Sequence, residues 1–545
     1  MPQAVEIDRA SVMIERVRPI IGMEVHVELR TRSKMFSRAP SPAHPEFQDA
    51  GPNELLDPTV LGLPGALPTP NRAAVEMAML VGLALGCRIA ERTKWDRKSY
   101  FYPDLPKAYQ ISQYDLPLCF DGAMDVPGLD ERGDPDVLGP TARIGIVRAH
   151  LEEDAGKLLH EAPGGGPIDG SIVDLNRAGT PLLEIVTAPD FDSAERCVAF
   201  AKLLRAACRF LGVTEGVMQR GHVRFEPNIN CELTLAGGRT VRTPITEVKN
   251  LNSFRSLQGA IEFELREQPE RWRADGLEFA PGTKRTRGWD DVRGRTSLQR
   301  EKEEAEDYRY FPDPDLPPVV VDAAWRERVR ASLPELPAAR IRRYVKEEGL
   351  SVADAWLLVE HREVSAFYEA AADEAVRLGL PRPTAAKRCA DLLVQSGLKR
   401  VNERAGAGAG GGAGGGAGST PPLLSELGIG PEQVGRIAAL REEGKISAAG
   451  ADELFGVLCE PEWAGKAGVD PATLAAERGL VVVRDEAALE RWADEVIAAH
   501  PGVVEQIRGG KGQAIGRLIG EVMKLSGGKA DAKAVREVLE RRIGA

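Results

Sequence analysis

Apolar and polar residues alternate with a period of two in several segments, the pattern typical of β-strands half-buried in a sheet. The segment 20–29 shows it most clearly, because every odd-numbered residue from 23 to 29 is apolar. Successive side chains of a strand point to opposite faces, so Glu24, His26 and Glu28 share the remaining face. The pattern therefore predicts a strand with one titratable face.

A second segment, 144–152, also places titratable groups within a strand-like run. We expect the isoleucines at 144 and 146 on one side of this strand. Arg148, His150 and Glu152 are expected to share the other side. One face of the strand would then carry titratable groups.

Two more segments carry acids in apolar surroundings. Glu184 is the lone carboxylate of an otherwise apolar run, and an unpaired buried charge is costly enough that a partner is expected. The segment 223–233 alternates as well and carries Glu226, Asn228 and Asn230. Both segments are predicted to be strands.

The four segments together indicate one site. Side by side, they would form an acidic floor of carboxylates and an imidazole on rigid strands. Such groups hold Mg²⁺ or Mn²⁺ and, through the metal, the phosphates of ATP. Each strand taken alone could be the solvated face of an antiparallel sheet, but the coincidence of all four favours a chemical role.

Helical periodicity divides the rest of the chain into domains. Apolar residues recur with the helical period at 71–85, 193–212, 256–268, 325–333, 338–348, 352–360 and 367–378. The region 431–545 is also expected to be all-helical, whereas 405–418 is Ala and Gly only and cannot bury enough apolar surface to order itself. The predicted division is a catalytic domain at 1–320, a helical domain at 321–404, a flexible linker at 405–422, and a helical continuation with a tail domain at 423–545.

Composition narrows the classes of function. At 545 residues the chain should contain more than one domain. The N-terminus lacks an apolar leader and no run is long enough to span a bilayer, so we expect a cytoplasmic protein without membrane contact. The seven cysteines are scattered, without a Cys-x-x-Cys pair, and are interpreted as reduced core thiols.

The charge of the chain is unevenly distributed. A net charge of −11 argues against nucleic-acid binding over the whole surface. The segment 501–545 is nevertheless basic, with nine Lys and Arg against five Asp and Glu. This segment either binds a polyanion or forms a solvated helix face.

Two polar segments are candidates for nucleotide contacts. Residues 94–113 are dense in cations, aromatics and amides, which pair with phosphate or stack on a base; the alternative is a well-packed loop. Residues 243–255 include Lys249 and Asn252 ahead of a helix. No Gly-x-x-x-x-Gly-Lys-Ser/Thr motif is present, so a P-loop would not hold ATP. No segment suggests a glutaminase nucleophile, so any ammonia must come from elsewhere.

Long motifs in the chain resemble one family, the B subunits of the aspartyl/glutamyl-tRNA amidotransferases. The matching motifs before 320 are Gly22–Leu29, Asp96–Asp104, Lys107–Gln113, His150–Lys157, Asp174–Val186, Lys249–Phe254 and Asp307–Pro312. The segments 448–458 and 510–525 resemble the small C-terminal helical domain of that family. The resemblance implies an α+β fold, in which an antiparallel cradle sheet resembling glutamine synthetase precedes a helical domain and an all-α tail domain.

The resemblance implies a ligase reaction that forms a carbon–nitrogen bond. With ATP and Mg²⁺, the B subunits of the family phosphorylate the side-chain carboxylate of Glu on tRNA(Gln) or Asp on tRNA(Asn). Ammonia released from glutamine by a partner amidase then displaces phosphate. The implied partners are this amidase, which is the A subunit of a heterotrimer, the small C subunit of the same heterotrimer, and the misacylated tRNA.

The resemblance also implies roles for individual residues. Glu24, His26, Glu184 and one or both of Glu152 and Glu153 would hold the cation and act in catalysis. The residues implied for nucleotide binding are Lys98, Lys107, Lys157, Asn176, Arg177, Lys249 and Asn252. The residues implied for tRNA contacts are Arg508, Lys511, Arg517 and Lys524.

Three features depart from the family pattern. Many members carry a four-cysteine zinc cluster near 36–60, where this chain has no cysteine, so we expect no zinc. Where members often read Gly-Ser-Leu-Arg-Cys-Asp-Ala-Asn, this chain has Gly221-His-Val-Arg-Phe-Glu-Pro-Asn228, so Glu226 would take the acidic role. The Ala/Gly run is expected to loosen the tail without abolishing tRNA contact.

Two other functions compete with this hypothesis. A free-standing ATP-dependent ligase of the glutamine synthetase type would act on a small amino acid with free ammonia, but it would need no basic tail. A non-catalytic tRNA-binding scaffold would leave the acids on four strands unexplained. The sequence leaves open whether Glu-tRNA, Asp-tRNA or both are substrates.

Overall fold

The structure is a computed structural model, and it describes residues 12–161, 165–301, 308–408, 423–466, 468–482, 486–509, 511–527 and 530–544. The chain divides into two compact units, Met1–Ala338 and Ala339–Ala545. The first unit combines strands and helices, and the second is built of helices. This confirms the expected combination of a large sheet with helices that follow it.

The first unit contains seventeen strands among its described residues. They are β1 (Ile14–Glu28), β2 (Arg88–Ile89), β3 (Arg92–Thr93), β4 (Asp96–Ser99), β5 (Tyr109–Ser112), β6 (Cys119–Pro127), β7 (Thr141–Glu153), β8 (Lys157–Glu161), β9 (Pro167–Asp174), β10 (Pro181–Thr187), β11 (Val223–Leu235), β12 (Thr240–Arg242), β13 (Thr246–Lys249), β14 (Arg285–Asp290), β15 (Arg295–Glu301), β16 (Phe311–Pro312) and β17 (Val319–Val320). Its helices are α1 (Arg72–Ala84), α2 (Ala194–Phe210), α3 (Phe254–Asp275) and α4 (Ala323–Ala331).

Ten of these strands form one sheet in the order β15-β14-β13-β11-β1-β10-β7-β6-β2, with β12 beside β11. Its neighbours pair antiparallel, except for the parallel pair β13 and β14. The four strands predicted to carry acids, β11, β1, β10 and β7, are consecutive in this order. The expectation that they lie side by side is therefore confirmed.

A bulge in β7 sets which residues face the core. Val186 pairs with Arg148, but the next residue of β10, Thr187, pairs with Ile146, so Val147 is an extra residue in β7. A bulge of this kind breaks the strict alternation of faces along a strand. Ile144 thus joins the core although its number has the same parity as that of Arg148.

The bulge accounts for a detail of the sequence prediction. Isoleucines 144 and 146 are expected opposite Arg148, His150 and Glu152, which strict alternation forbids because all five numbers are even. The core in fact contains Ile144 and Ile146 together with Ala149 and Leu151. The expected division of faces is correct, and the bulge is its physical cause.

Helices α1, α2 and α3 cover one face of the large sheet. Buried residues of all three helices share one core with the apolar stripe of β1, among them Val25, Ala78, Phe200 and Leu257. Each helix begins at a polar cap, Asn71, Ser193 or Ser253, whose side chain accepts a hydrogen bond from a backbone N–H of the first turn. The acidic face of the sheet is left on the side away from this core.

Helix α3 is longer than the sequence suggests. The helical pattern predicts an end at Gln268, but the helix continues through Pro269 to Asp275. The prediction is wrong because packing outweighs the hydrogen bond that proline cannot donate. One turn beyond Pro269, Trp272 is buried against Cys231, Leu233, Leu235 and Val241.

Gly122 in β6 lies where the core leaves no room for a side chain. A Cβ at this position would lie 2.7 Å from the carbonyl oxygen of Leu85 and also against the Cys87 sulfur. Gly122→Ala should lower the free energy of unfolding by about 1–3 kcal/mol, because backbone must move to relieve the overlap. Chemical denaturation measures this change. Gly128→Ala is the matched control, since a Cβ there meets nothing within 4 Å, and equal losses would contradict the argument.

Helix α5 (Pro337–Lys346) spans the boundary between the units. The remaining helices are α6 (Val352–Leu358), α7 (Arg362–Arg377), α8 (Arg382–Asp391), α9 (Leu398–Gly408), α10 (Pro431–Glu442), α11 (Ala448–Leu458), α12 (Pro471–Glu477), α13 (Glu486–Ala499), α14 (Pro501–Arg508), α15 (Ile515–Leu525) and α16 (Ala532–Ile543). The helices predicted before residue 378 are all present. One antiparallel bridge, Ile446 to Val481, interrupts the helical character expected after 431.

The tail domain has a core of its own. Buried residues of α13 to α16 form a separate apolar cluster that includes Leu489, Val496, Leu518 and Leu539. Of the expected linker at 405–422, residues 405–408 continue α9, and 409–422 lie outside the described residues. All seven cysteines are buried and unbridged, as expected for core thiols. No helix in the described part of the chain is long and apolar enough to cross a membrane.

Candidate active site

Strand register brings the predicted acids together. His26 of β1 pairs with Glu184 of β10, and Glu184 pairs in turn with His150 of β7. On the other side of β1, Glu24 pairs with Glu226 of β11. Residues directly opposite in a sheet have Cβ atoms roughly 5 Å apart, so their side chains meet on one face. Glu184 therefore has the partner expected for a buried carboxylate, in the form of the two imidazoles of His26 and His150.

One cluster of possible metal ligands consists of His26, Glu152 and Glu184, whose donor atoms lie within 4.8 Å of one another. The His26 Nε2 atom is 3.5 Å from Glu184 Oε2 and 3.9 Å from Glu152 Oε1. The three side chains are largely buried, with exposures of 13%, 5% and 14%. All three line the floor of one cavity.

A second cluster lies beside the first and consists of Glu24, Glu226 and Glu247. Its charges are balanced by two lysines. Lys249 Nζ is 2.7 Å from Glu226 Oε2 and 3.2 Å from Glu247 Oε1. Lys284 Nζ is 3.3 Å from Glu247 Oε2 and 3.9 Å from Glu24 Oε1. The two clusters are joined by His26, whose Nδ1 is 3.8 Å from Glu226 Oε1.

Both clusters open into the same cavity, which has a volume of about 490 Å³. This active-site cavity falls in the range of pockets that hold small ligands. One of its walls is aromatic, because the rings of Tyr114 and Tyr310 stack with centroids 4.2 Å apart. Lys98 lies beside this wall, with its Nζ 4.9 Å from the ring centre of Tyr308. Acids, ammonium groups and aromatic planes thus surround a single space.

The electrostatics of the first cluster favour positive charge at its centre. Burial opposes the charged imidazole of His26, but Glu184 and Glu226 outweigh it and raise the pKa of His26 to about 9. Burial and the neighbouring Glu184 raise the pKa of Glu152 to about 7. Burial also opposes ionisation of Glu184, yet His150, His26 and Lys98 hold the pKa of Glu184 well below its ordinary range.

The first cluster has the donor atoms and the charge that a divalent cation requires. The donor set of carboxylates and an imidazole suits Mg²⁺ or Mn²⁺. His26 Nδ1 is buried without a hydrogen-bond partner among the described residues, so the ring is not committed elsewhere. Glu152 and Glu184 repel each other unless positive charge lies between them. The residues therefore fit a hard cation.

Glu152 and Glu153 are separated by the alternation of β7. Glu152 lines the cavity, whereas Glu153 is buried on the other side of the strand. The Glu153 carboxylate pairs with Lys107 and accepts a hydrogen bond of 3.0 Å from the backbone N–H of Ile111. The geometry thus brings Glu152, and not Glu153, to the first cluster.

Three of the residues implied for nucleotide binding line a different cavity of about 350 Å³. They are Lys157, Asn176 and Arg177. Arg177 donates hydrogen bonds to the carbonyl oxygens of Ala155 and Gly156 at 2.9 and 2.7 Å. Asn176 holds the loop at 51–55, accepting from the N–H of Leu55 and donating to the carbonyl oxygen of Gly51. The side chains of Asn176 and Arg177 thus hydrogen-bond to backbone groups, which gives both residues a structural role.

Of the four remaining nucleotide candidates, two line the active-site cavity and two do not. Lys98 and Lys249 line the active-site cavity. Lys107 pairs with Glu153. Asn252 is exposed between β13 and α3 and lines neither cavity.

Sequence reasoning missed Glu247 and Lys284 as site residues. Glu247 is 1% exposed and pairs in register with Asn228, directly beside the acids of β11. Its signal was available, because Glu247 and the predicted Lys249 are two residues apart and so share a face of β13. Lys284 precedes β14, and it lies near Glu24 of β1 because β13 and β11 place these two strands in the same sheet. No pattern within its own segment predicts that contact.

The tail residues implied for tRNA contacts are all exposed: Arg508, Lys511, Arg517 and Lys524. Arg517 and Lys524 lie seven residues apart on α15, two turns along the same face. The opposite face of that helix is buried through Ile515, Leu518 and Val522. The basic residues therefore lie on the solvent side of the tail domain.

Comparisons with known proteins cover both units. Residues 19–327 match the family model described as the GatB/GatE catalytic domain. Residues 422–543 match a second family model, described as the GatB domain. The first match contains every residue of the active-site cavity.

Curated relatives are similar over almost the entire chain. A protein of Anaeromyxobacter sp. (strain Fw109-5), named as the B subunit of aspartyl/glutamyl-tRNA(Asn/Gln) amidotransferase, is 43% identical over 525 residues, or 96% of this chain and 98% of its own. Proteins of the same name from Thermomicrobium roseum and Roseiflexus sp. (strain RS-1) are 42% and 40% identical, with 96% of this chain covered in both and 98% and 97% of their own.

Proposed function

The chain belongs to the family of B subunits of aspartyl/glutamyl-tRNA(Asn/Gln) amidotransferases, and we propose that it uses ATP and Mg²⁺ to activate the side-chain carboxylate of Glu or Asp misacylated on tRNA. Its partners would be the amidase, or A, subunit that releases ammonia from glutamine, together with the small C subunit. The observation that carries this proposal is the convergence of two acid clusters and three lysines on one cavity.

The proposed reaction has two steps. A carboxylate oxygen of the aminoacyl side chain attacks the γ-phosphorus of ATP, and the bond to ADP breaks. Ammonia then attacks the carbonyl carbon of the acyl phosphate, inorganic phosphate leaves, and the nitrogen loses a proton to give the amide. Activation is needed because a carboxylate is a poor electrophile, whereas an acyl phosphate is a good one.

Individual residues have distinct roles in this proposal. His26, Glu152 and Glu184 would hold one cation, and Glu24, Glu226 and Glu247 would provide further ligands. A bound Mg²⁺ would neutralise charge on the transferring phosphoryl group. Lys98 and Lys249 are the proposed phosphate contacts, because both line the active-site cavity.

Two broader features fit the same proposal. We propose that the large, mostly antiparallel sheet is a cradle of the type found in glutamine synthetase, and its buried acidic face supports this. The exposed basic face of the tail domain would contact the tRNA. Lys107, Lys157, Asn176, Arg177 and Asn252 lie outside the active-site cavity and would have no contact with the reacting groups.

The decisive test is ATP hydrolysis by the chain with its amidase partner. We expect Mg²⁺-dependent stimulation by Glu-tRNA, Asp-tRNA or both, because only a misacylated tRNA presents the carboxylate to be phosphorylated. Uncharged tRNA and free glutamate should not stimulate. Equal stimulation by free glutamate would instead identify a small-molecule ligase, and no hydrolysis with any substrate would indicate a scaffold.

A further inference from the structure

Arg148 has an unusual position among the cations of the active-site cavity. Its Nε is buried and has no hydrogen-bond partner within the described ranges. Its Nη2 is 4.0 Å from Glu184 Oε1, which is beyond hydrogen-bond distance. The side chain is 37% exposed and lines the cavity. A guanidinium in this setting has hydrogen-bond donors left for a ligand.

Two lysines of the same cavity, unlike Arg148, lie within 3.5 Å of a carboxylate oxygen. Lys249 is 2.7 Å from Glu226, and Lys284 is 3.3 Å from Glu247. Lys98 packs over the ring of Tyr308. Arg148 lies beside the first cluster with its guanidinium 4.0 Å from Glu184, and it is the cavity cation that can present two parallel N–H donors.

We propose that Arg148 binds the side-chain carboxylate of the aminoacyl group before it is phosphorylated. This inference rests on the proposed function, which requires an anionic side chain to enter a cavity already rich in carboxylates. The planar guanidinium matches a carboxylate with two parallel N–H donors, which lysine cannot offer. Arg148 would thus offset the repulsion between the substrate carboxylate and the acids of the cavity, and it would orient that carboxylate.

The position of Arg148 favours the carboxylate over a phosphate of ATP. Lys249 and Lys284 lie at the second cluster, on the β11 and β13 side of the sheet, where a polyphosphate finds two ammonium groups. Arg148 lies on β7 beside Glu184 and the first cluster. The polyphosphate would therefore lie on the side of Lys249 and the carboxylate on the side of Arg148. The transferring phosphoryl group would lie between them, within reach of Lys98, the second proposed phosphate contact, which is close to Glu152 and Glu184.

This role also discriminates substrate from product. The carboxylate of the substrate is an anion, whereas the amide of the product is neutral. Arg148 therefore strengthens binding of Glu-tRNA(Gln) and does much less for Gln-tRNA(Gln), which has the same tRNA and an almost equal side-chain shape. The product would leave because its ionic contact has been removed.

The test compares these two ligands on the full chain assembled with its partner subunits. Arg148→Gln should weaken binding of the misacylated tRNA that stimulates ATP hydrolysis, Glu-tRNA(Gln) or Asp-tRNA(Asn), by about 10- to 100-fold, the range for losing hydrogen bonds to a charged group. Binding of the corresponding amidated tRNA, Gln-tRNA(Gln) or Asn-tRNA(Asn), and the KM for ATP should stay unchanged. Arg148→Lys keeps the positive charge but loses the two parallel N–H donors, so its affinity for the misacylated tRNA should lie between those of Arg148→Gln and the wild type.

Controls keep the result interpretable. Arg143→Gln removes an exposed arginine from the same strand and should leave the affinity for both tRNAs unchanged. A weaker Kd for both tRNAs, or a raised KM for ATP alone, would overturn the proposal, the latter by making Arg148 a phosphate ligand. A wild-type enzyme that shows no tRNA-stimulated ATP hydrolysis would contradict the proposed function instead, so the two failures are distinguishable.

Discussion

Glu184→Gln should reduce ATP-dependent amidation by about 100- to 1,000-fold, the range seen when one preorganised electrostatic group is removed from an active site. The substitution keeps the shape of the side chain and removes its charge. Glu184 is the acid on which His26, His150 and Arg148 converge, at 3.5, 3.8 and 4.0 Å. Its loss therefore disturbs both the proposed cation site and the orientation of its imidazole ligand.

The measurement is single-turnover formation of Gln-tRNA(Gln) with saturating ATP and ammonia supplied directly. Supplying ammonia makes the assay independent of the amidase partner. Glu195→Gln, an exposed acid in the first turn of α2, is the matched control and should keep full activity. Retention of full activity by Glu184→Gln, with an unchanged melting temperature, would exclude Glu184 from the chemistry and favour a scaffold.

Local patterns were sufficient to find the acidic face of the sheet. In β1 the alternation of apolar and titratable residues predicts the strand and the face that carries Glu24 and His26. Pairing is not local, yet the clustering of four such strands was predictable, because buried acids need partners. In the structure, the strand register places Glu184 opposite both His26 and His150, which are the partners that its burial requires.

Contacts that depend on sheet order could not be predicted in the same way. Lys284 meets Glu24 although 260 residues separate them, because β13, β11 and β1 are neighbours in the sheet. The stack of Tyr114 on Tyr310 arises similarly from segments far apart in sequence. Neither the bulge at Val147 nor the continuation of α3 past Pro269 has a signal in a single sequence, because tertiary packing decides both.

The largest effect on tRNA binding should come from the tail domain. Replacing four exposed basic residues by Gln should weaken tRNA binding by about 100-fold at moderate salt, because each phosphate contact releases counterions. The residues are Arg508, Lys511, Arg517 and Lys524. The slope of log affinity against log salt is negative, and it should become less steep by roughly 3, since four contacts are removed. Filter binding over a range of salt concentrations measures both quantities.

A charge-matched variant separates a specific surface from overall charge. It replaces four basic residues of α16 by Gln: Lys533, Arg536, Arg541 and Arg542. Three of these four residues pair with carboxylates, Arg536 with Glu540 and the two arginines 541 and 542 with Glu490 of α13, so their charge is partly neutralised within the domain. Of the first four residues, Lys524 pairs with Glu521. We expect this variant to bind tRNA more tightly than the first by a wide margin. Equal weakening would show that the tail attracts tRNA only through its net charge, and the assignment of the α14–α15 face would then be wrong.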